Sequence, residues 1–179
     1  MYPFLIEKLT KHEISGHCFP YIDKEYSEVN EALGEILQEY VTEYPNVENQ
    51  ASIDYNSMEY QTYVQLMIGK ATGEKIKTDE VTIQYFEGIA CAISLLAPFF
   101  TISVQQWQTT RYIANNQLIT TAPSPNFSGI LDSSKHLQKC ESIANFMESK
   151  GLISFQDALI YFPEIEKNDL FKALFFIND

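Results

Sequence analysis

The sequence predicts an α+β fold that is mostly helical, with a small antiparallel sheet in its second half and a helical C-terminus. Three observations predict it. Apolar residues recur at helical spacing in several segments before residue 98, two segments rich in aromatic and β-branched residues follow at 99–121, and amphipathic patterns return after residue 132. The length of 179 residues fits a single globular domain, 1–179, with a possible division in the loop near 122–129.

The clearest helix is predicted at 27–44. Ser27 is a suitable N-cap, and Pro45 stops the helix because it lacks an N–H donor and restricts the residue before it. The apolar residues of this segment follow one helical face. They are Val29, Leu33, Ile36, Leu37, Tyr40, Val41 and Tyr44.

Two more helices are predicted before the sheet. In 60–71 the apolar positions fit one helical face, although the same residues also have high strand propensity. In 79–97 an apolar run suits a buried helix that ends at Pro98.

The second half is predicted to contain strands and then helices. Two strands are expected, at 99–110 and 111–121, and Asn115 and Asn116 offer a turn inside the second. A helix is then expected at 132–150, a short one opening near Ser154, and a last one capped by Asn168.

The charge of the chain is strongly negative and unevenly distributed. The formal net charge is −12, and ten acidic residues against one basic residue, Lys24, lie between Asp23 and Glu59. Nucleic acids and anionic membrane surfaces require cationic patches, so we expect neither as a ligand. No apolar run approaches the ~20 residues that a membrane helix needs.

Five glutamates give the predicted helix at 27–44 an acidic face. Like charges four residues apart each destabilise a helix by about 0.2–0.5 kcal/mol, and the helix contains no lysine or arginine to offset them. The face is either a solvated surface or a binding site for a cationic partner, with tyrosines beside it as anchors. The candidate partner-binding residues are Glu28, Glu31, Glu35, Glu39, Glu43, Tyr40 and Tyr44.

The stretch HEISGHC, 12–18, resembles the HExxH motif of zinc hydrolases but departs from its spacing. His12 and His17 are five residues apart instead of four, which places them about 140° apart around a helix. With Cys18 they are weak candidates for a metal or thiol site, because a fourth ligand is missing. We therefore predict no metal, no cofactor and no catalytic residues.

The N-terminal sequence and the cysteines predict a cytoplasmic protein. The first residues lack a basic leader and a small-residue cleavage site, so no secretory signal is expected. Cys18, Cys91 and Cys140 are odd in number and widely spaced, which favours reduced thiols over a disulfide framework.

These observations favour a non-catalytic protein-binding domain. In size, charge and lack of a catalytic motif the chain resembles bacterial immunity proteins, which bind and neutralise a cognate toxin. We therefore expect a basic protein partner, a toxin or another effector. Two alternatives remain open: a metal- or thiol-dependent hydrolase that uses the His12–Cys18 region, and a structural or adaptor subunit. The sequence does not specify an oligomeric state.

Overall fold

A computed structural model of the chain describes residues 26–43, 50–54, 63–121, 136–158 and 160–175. The elements in these ranges are α1 (Tyr26–Glu43), β1 (Gln50–Asp54), β2 (Tyr63–Lys77), β3 (Val81–Ser94), β4 (Phe99–Tyr112), β5 (Leu118–Thr121), α2 (Leu137–Ser149), β6 (Ile153–Ser154), α3 (Phe155–Ala158) and α4 (Lys167–Phe175). None of the helices in these ranges is both long enough and apolar enough to span a lipid bilayer.

The centre of the molecule is an antiparallel meander in the order β1-β2-β3-β4-β5. Strands β2, β3 and β4 are 14 or 15 residues long and pair over most of their length. The short β6 runs parallel to β4 and pairs with Phe99 and Phe100. β5 pairs with the opposite end of β4, at residues 108–111.

The expectation of a mostly helical fold with a small sheet is wrong, because the sheet is the principal element of the described residues. The segments predicted as helices at 60–71 and 79–97 are the strands β2 and β3. In β2 the first seven residues are all buried, and in β3 the last seven are. A strand covered on both faces has no alternation of apolar and polar residues, so its apolar run also fits a helical template.

Other predicted elements are confirmed. The helix expected at 27–44 is α1, and the two strands expected in 99–121 are β4 and β5. β4 continues to Tyr112, however, so the predicted turn lies between the two strands and not inside the second; there Asn116 adopts a left-handed backbone conformation, φ 54°. The C-terminal helices are also present, although the last begins at Lys167. The loop expected near 122–129 lies outside the described residues, and the single-domain assignment stays a prediction.

The two faces of the sheet are covered differently. One face, here called the helix-side face, carries apolar side chains that join α1 and α2 in one buried cluster. Its sheet residues are Val64, Leu66, Ile68, Ile89, Cys91, Ile93, Phe100 and Ile102. On the opposite face, Tyr63, Ala92 and Phe99 pack with α3 and α4. Alternation along each strand separates the two sets, since neighbouring residues point to opposite faces.

The other end of the sheet extends beyond the region in which helices pack on both faces. In β2 the residues from Lys70 to Lys77 are exposed apart from Thr72, which is half-buried. A bulge interrupts the pairing between Thr72 and Ile76, where Gly73 has a φ of 69°. Gln84 stabilises this irregularity, because its Nε2 donates to the backbone oxygen of Thr72 at 3.3 Å. We call residues 70–87 and 106–121 the sheet extension.

Candidate protein-binding surfaces

Helix α1 has one buried face and one acidic face. Leu33 and Leu37 are fully buried against the sheet, and Val29, Ile36 and Tyr40 have little exposed surface. The glutamates lie outside this buried stripe, and all five are exposed: Glu28, Glu31, Glu35, Glu39 and Glu43. The packing of the apolar face therefore holds the acidic face in a defined orientation towards solvent.

Tyr40 does not belong to the exposed face. It retains only 3% of its accessible surface, and its ring lies edge-on to Phe146 of α2 with 5.1 Å between the ring centroids. The predicted role of Tyr40 as a surface anchor is therefore wrong, because the ring is part of the core between the two helices. Tyr44, the other predicted anchor, lies outside the described residues.

One acidic side chain of α1 has a cation beside it. The Nζ of Lys150, just after α2, forms an ion pair with Glu39 Oε1, and the same Nζ lies 5.0 Å from the Phe146 ring centroid. Lys150 therefore connects the two helices by a charge and a cation–π contact, although both charged groups are partly exposed and such pairs contribute about 1 kcal/mol or less. Sequence inspection missed this contact, since the two residues lie 111 positions apart.

A polar groove continues from this ion pair along the outside of α2. It has a volume of about 500 Å³ and lies between Glu43 at the end of α1 and the exposed side of α2. Besides Glu43 its lining includes the carboxylate of Glu141 and several neutral polar groups. They belong to Gln138, Ser142, Asn145 and Ser149. The acidic surface of α1 thus extends onto α2 and offers hydrogen-bonding groups beside two carboxylates.

A second charged surface, on the sheet extension, was not predicted. An open groove of about 440 Å³ lies on the face opposite α1 and α2. Lys75, Lys77 and Arg111 line it together with neutral residues. The signal that would have revealed it is cross-strand register, which places Lys77, Thr82 and Arg111 side by side on three adjacent strands.

The two described cysteines are buried within the core. Cys91 and Cys140 are both free thiols in the cluster between the sheet and the helices. Burial raises the pKa of the Cys91 thiol far above its usual range, and the neighbouring Cys140 raises it further. A thiol held in its protonated form is a poor nucleophile, so the chemistry of Cys91 is that of a small apolar side chain.

The sequence candidates for a metal site are not among the described residues. His12, His17 and Cys18 all lie before residue 26, where the described part of the chain begins. Within the described ranges, no three histidine, cysteine, aspartate or glutamate side chains are grouped so as to hold a metal ion. The hydrolase alternative therefore gains no supporting geometry.

Comparisons with protein-family models, with curated proteins and with solved structures return no match for this chain.

Proposed function

We propose that the chain is a non-catalytic binding domain that presents the acidic face of α1 to a basic protein and neutralises it, as an immunity protein neutralises a toxin. The observation that carries the proposal is the row of exposed glutamates on a helix that contains no basic residue. A solvated helix face usually mixes charges of both signs, which makes this face unusual as a mere solubility device.

Three of the four regularly spaced glutamates support the proposal most directly. Glu39 is paired with Lys150, whereas no ion pair with a described residue is found for Glu31, Glu35 or Glu43. Each of these three is exposed and lies on an element whose other face is fixed in the core. A cationic partner supplies compensating charge at these three glutamates, as Lys150 does at Glu39.

The physical consequence is fast and salt-sensitive association. A one-signed surface on a chain of net charge −12 attracts a basic protein over distances of about a Debye length, ~8 Å at physiological ionic strength. The attraction raises the association rate more than it lowers the dissociation rate. The neighbouring groove along α2 adds hydrogen-bonding groups that fix the orientation of the bound partner.

The test is a charge reversal on α1, scored by binding and by protection. The probe is the product of a neighbouring reading frame with a net positive charge, expressed with the parent chain or with a Glu31→Lys, Glu35→Lys double variant. Neither glutamate is the one that pairs with Lys150, so the Glu39–Lys150 ion pair is left unaltered. We expect the double variant to stay folded, to bind about 100-fold more weakly and to lose its protection of the host cell.

A matched control separates the face from the net charge. The variant Glu74→Lys, Glu80→Lys makes the same change of four charge units on exposed residues of the sheet extension. We expect it to bind and protect nearly as the parent does. If the α1 variant binds the basic protein as tightly as the parent, at both low and moderate salt, the acidic face is not the binding site.

A further inference from the structure

The basic groove on the sheet extension is the surface that the acidic face of α1 does not explain. We call it the sheet groove. Its described lining consists of Ala71, Lys75, Lys77, Thr82, Gln84, Phe86, Thr109, Arg111 and Leu118. It lies on the face opposite α1 and α2, since Thr82, Gln84 and Phe86 alternate along β3 with the helix-side residues Ile89, Cys91 and Ile93.

The charges of the sheet extension are sorted between its surfaces. Residues 63–121 contain four basic residues, Lys70, Lys75, Lys77 and Arg111, and four acidic residues, Glu74, Asp79, Glu80 and Glu87. Three of the basic residues line the sheet groove, and none of the acidic ones does. The groove is therefore locally positive on a molecule whose net charge is −12. Its complement is an acidic surface.

The register of the strands gives this positive charge a geometry. Lys77 pairs with Thr82, Thr82 pairs with Arg111, and Arg111 pairs with Leu118, so four side chains lie in one row across the sheet. Adjacent strands are about 4.8 Å apart, which places the backbones of Lys77 and Arg111 about 10 Å from each other. That is about the width of an α-helix with its side chains.

Arg111 is held in place by the turn that follows β4. Its Nη1 donates to the Oδ1 of Asn116 at 2.6 Å, and Asn116 is the residue with the left-handed backbone conformation. A guanidinium has five N–H donors, so several remain for a carboxylate after this contact. An ordered guanidinium loses less conformational entropy on binding than a freely rotating one. Leu118, 53% exposed beside it, adds an apolar contact.

We infer that the sheet groove docks the acidic face of α1 from a second copy of the chain. The complement is present in every molecule, because Glu31 and Glu35 are exposed and lie one helical turn, about 6 Å, apart. Lys77 and Arg111 reach the two carboxylates across the intervening Thr82, and Leu118, on the far side of Arg111, contacts the helix beside them.

The contact is heterologous, since the donor helix and the acceptor groove are different surfaces on opposite faces of the sheet. The resulting assembly has a free acidic face at one end and a free sheet groove at the other. Further copies therefore add to it as the protein concentration rises. Repulsion between two chains of net charge −12 opposes it and keeps it weak, although salt screens that repulsion beyond ~8 Å. A basic partner competes for the same helix face, so its binding releases single chains from the self-associated form.

The test needs only the protein itself, so its outcome is independent of any basic partner. Sedimentation velocity is measured between about 10 µM and 1 mM, at low salt and at about 0.5 M salt, where the Debye length falls to ~4 Å. We expect the mean sedimentation coefficient to rise with concentration at low salt. At high salt the rise should be largely lost.

Complementary charge reversals identify the two surfaces. The variant Lys77→Glu, Arg111→Glu removes the acceptor, and the variant Glu31→Lys, Glu35→Lys removes the donor. Each alone should remain monomeric over the same range. An equimolar mixture should form a complex of alternating variants that grows with concentration, since the unchanged helix of one variant docks in the unchanged groove of the other and the reversed helix docks in the reversed groove. The control Lys70→Glu, Lys172→Glu changes the net charge equally at exposed sites outside the groove and should associate as the parent does.

Three results would overturn the inference. They are a parent chain that stays monomeric at low salt up to about 1 mM, association that persists unchanged at high salt, and a mixture of the two variants that fails to form the complex although circular dichroism finds both folded.

Discussion

Cys91 is a thiol whose environment in the folded protein differs strongly from that in the unfolded chain. It has no exposed surface, and burial together with the neighbouring Cys140 raises the pKa of its thiol far above its usual range. The unfolded chain has no such environment, and there the thiol ionises with a pKa of about 8.5. The difference links the stability of the fold to pH.

We expect Cys91 to make the fold less stable at alkaline pH. The pKa is raised in the folded state, so the contribution is complete below about pH 8.5 and is lost as the pH rises, by up to ~1.4 kcal/mol per unit for one thiol. Urea unfolding at pH 8 and pH 10 should therefore show a steeper loss of stability in the parent than in Cys91→Ala. The tyrosines and lysines, which also ionise near pH 10, are common to both proteins, so their contributions cancel when the two slopes are compared. Equal slopes would mean that Cys91 ionises in the folded protein.

Gly88 and Gly69 are the residues at which the sheet tolerates no side chain. They pair directly across β2 and β3, and a Cβ on Gly88 would overlap the backbone of Ile68 and Gly69. A Cβ on Gly69 would overlap the backbone oxygen of Glu87 and also the ring of Trp107, which stacks on Phe86 with an interplanar angle of 11°.

Alanine at these two positions should destabilise the protein in distinguishable ways. Gly88→Ala should lower the free energy of unfolding by about 1–3 kcal/mol or more, because the strand backbones must separate. Gly69→Ala should also shift the fluorescence of Trp107, the single tryptophan, by displacing its ring. Urea unfolding followed by fluorescence measures both. Gln106→Ala, at an exposed position of β4, is the control and should have little effect. A Gly88→Ala protein as stable as the parent would contradict the close approach.

At the scale of the element, α1 combines strong burial on one side with unfavourable charge spacing on the other. Glu35 has Glu31 and Glu39 as neighbours four residues away on either side. Glu39 stands between Glu35 and Glu43 in the same way, but it also pairs with Lys150. The two glutamates are therefore alike within the helix and different in the folded molecule.

This contrast predicts different effects of the same substitution. Glu35→Lys should stabilise the fold by about 0.5–1 kcal/mol, because two repulsive pairs become attractive ones. Glu39→Lys gains the same two pairs, but it loses the ion pair and brings two lysines together, so its net effect should be close to zero or destabilising. Thermal or urea unfolding of the two variants at low salt gives the comparison. Equal stabilisation of both would mean that the Lys150 contact contributes nothing in solution.

At the scale of the whole molecule, the same strands pass through two different environments. Leu66 and Ile89 lie on the helix-side face, where α1 and α2 cover the sheet, and both are buried. Further along the same hairpin Ile76 and Tyr85 are 48% and 43% exposed. The hydrogen bonds of the sheet extension are therefore nearer to solvent and supported by fewer packed side chains.

We expect hydrogen exchange to divide the strands accordingly. Amides of residues 64–68 and 89–93 should exchange only through global unfolding, whereas amides of 75–77 and 81–83 should exchange through local opening. Measurement at low protein concentration and high salt keeps the chains apart, and urea dependence separates the two modes of opening. Uniform protection along the whole length of β2 and β3 would contradict the division.

The sequence alone determined the features that depend on neighbours within a few residues. Helix periodicity and Pro45 located α1, the asparagine pair located the turn after β4, and spacing by four located the acidic face. It also indicated that helices and strands both occur, but it assigned two of the long strands to helices. A helix is stabilised by contacts between residues i and i+4, so its pattern can be recognised within a short stretch of sequence.

Only the tertiary structure decided that 63–77 and 81–94 are strands, that Tyr40 is buried and that Lys77, Thr82 and Arg111 form one row. Each of these depends on a partner distant in sequence: the pairing strand, the α2 helix or the far side of the sheet. A strand has no internal hydrogen bonds, and its backbone is satisfied only by neighbouring strands. The apolar run of β3 is compatible with either a buried helix or a central strand, and the pairing with β2 and β4 decides between them.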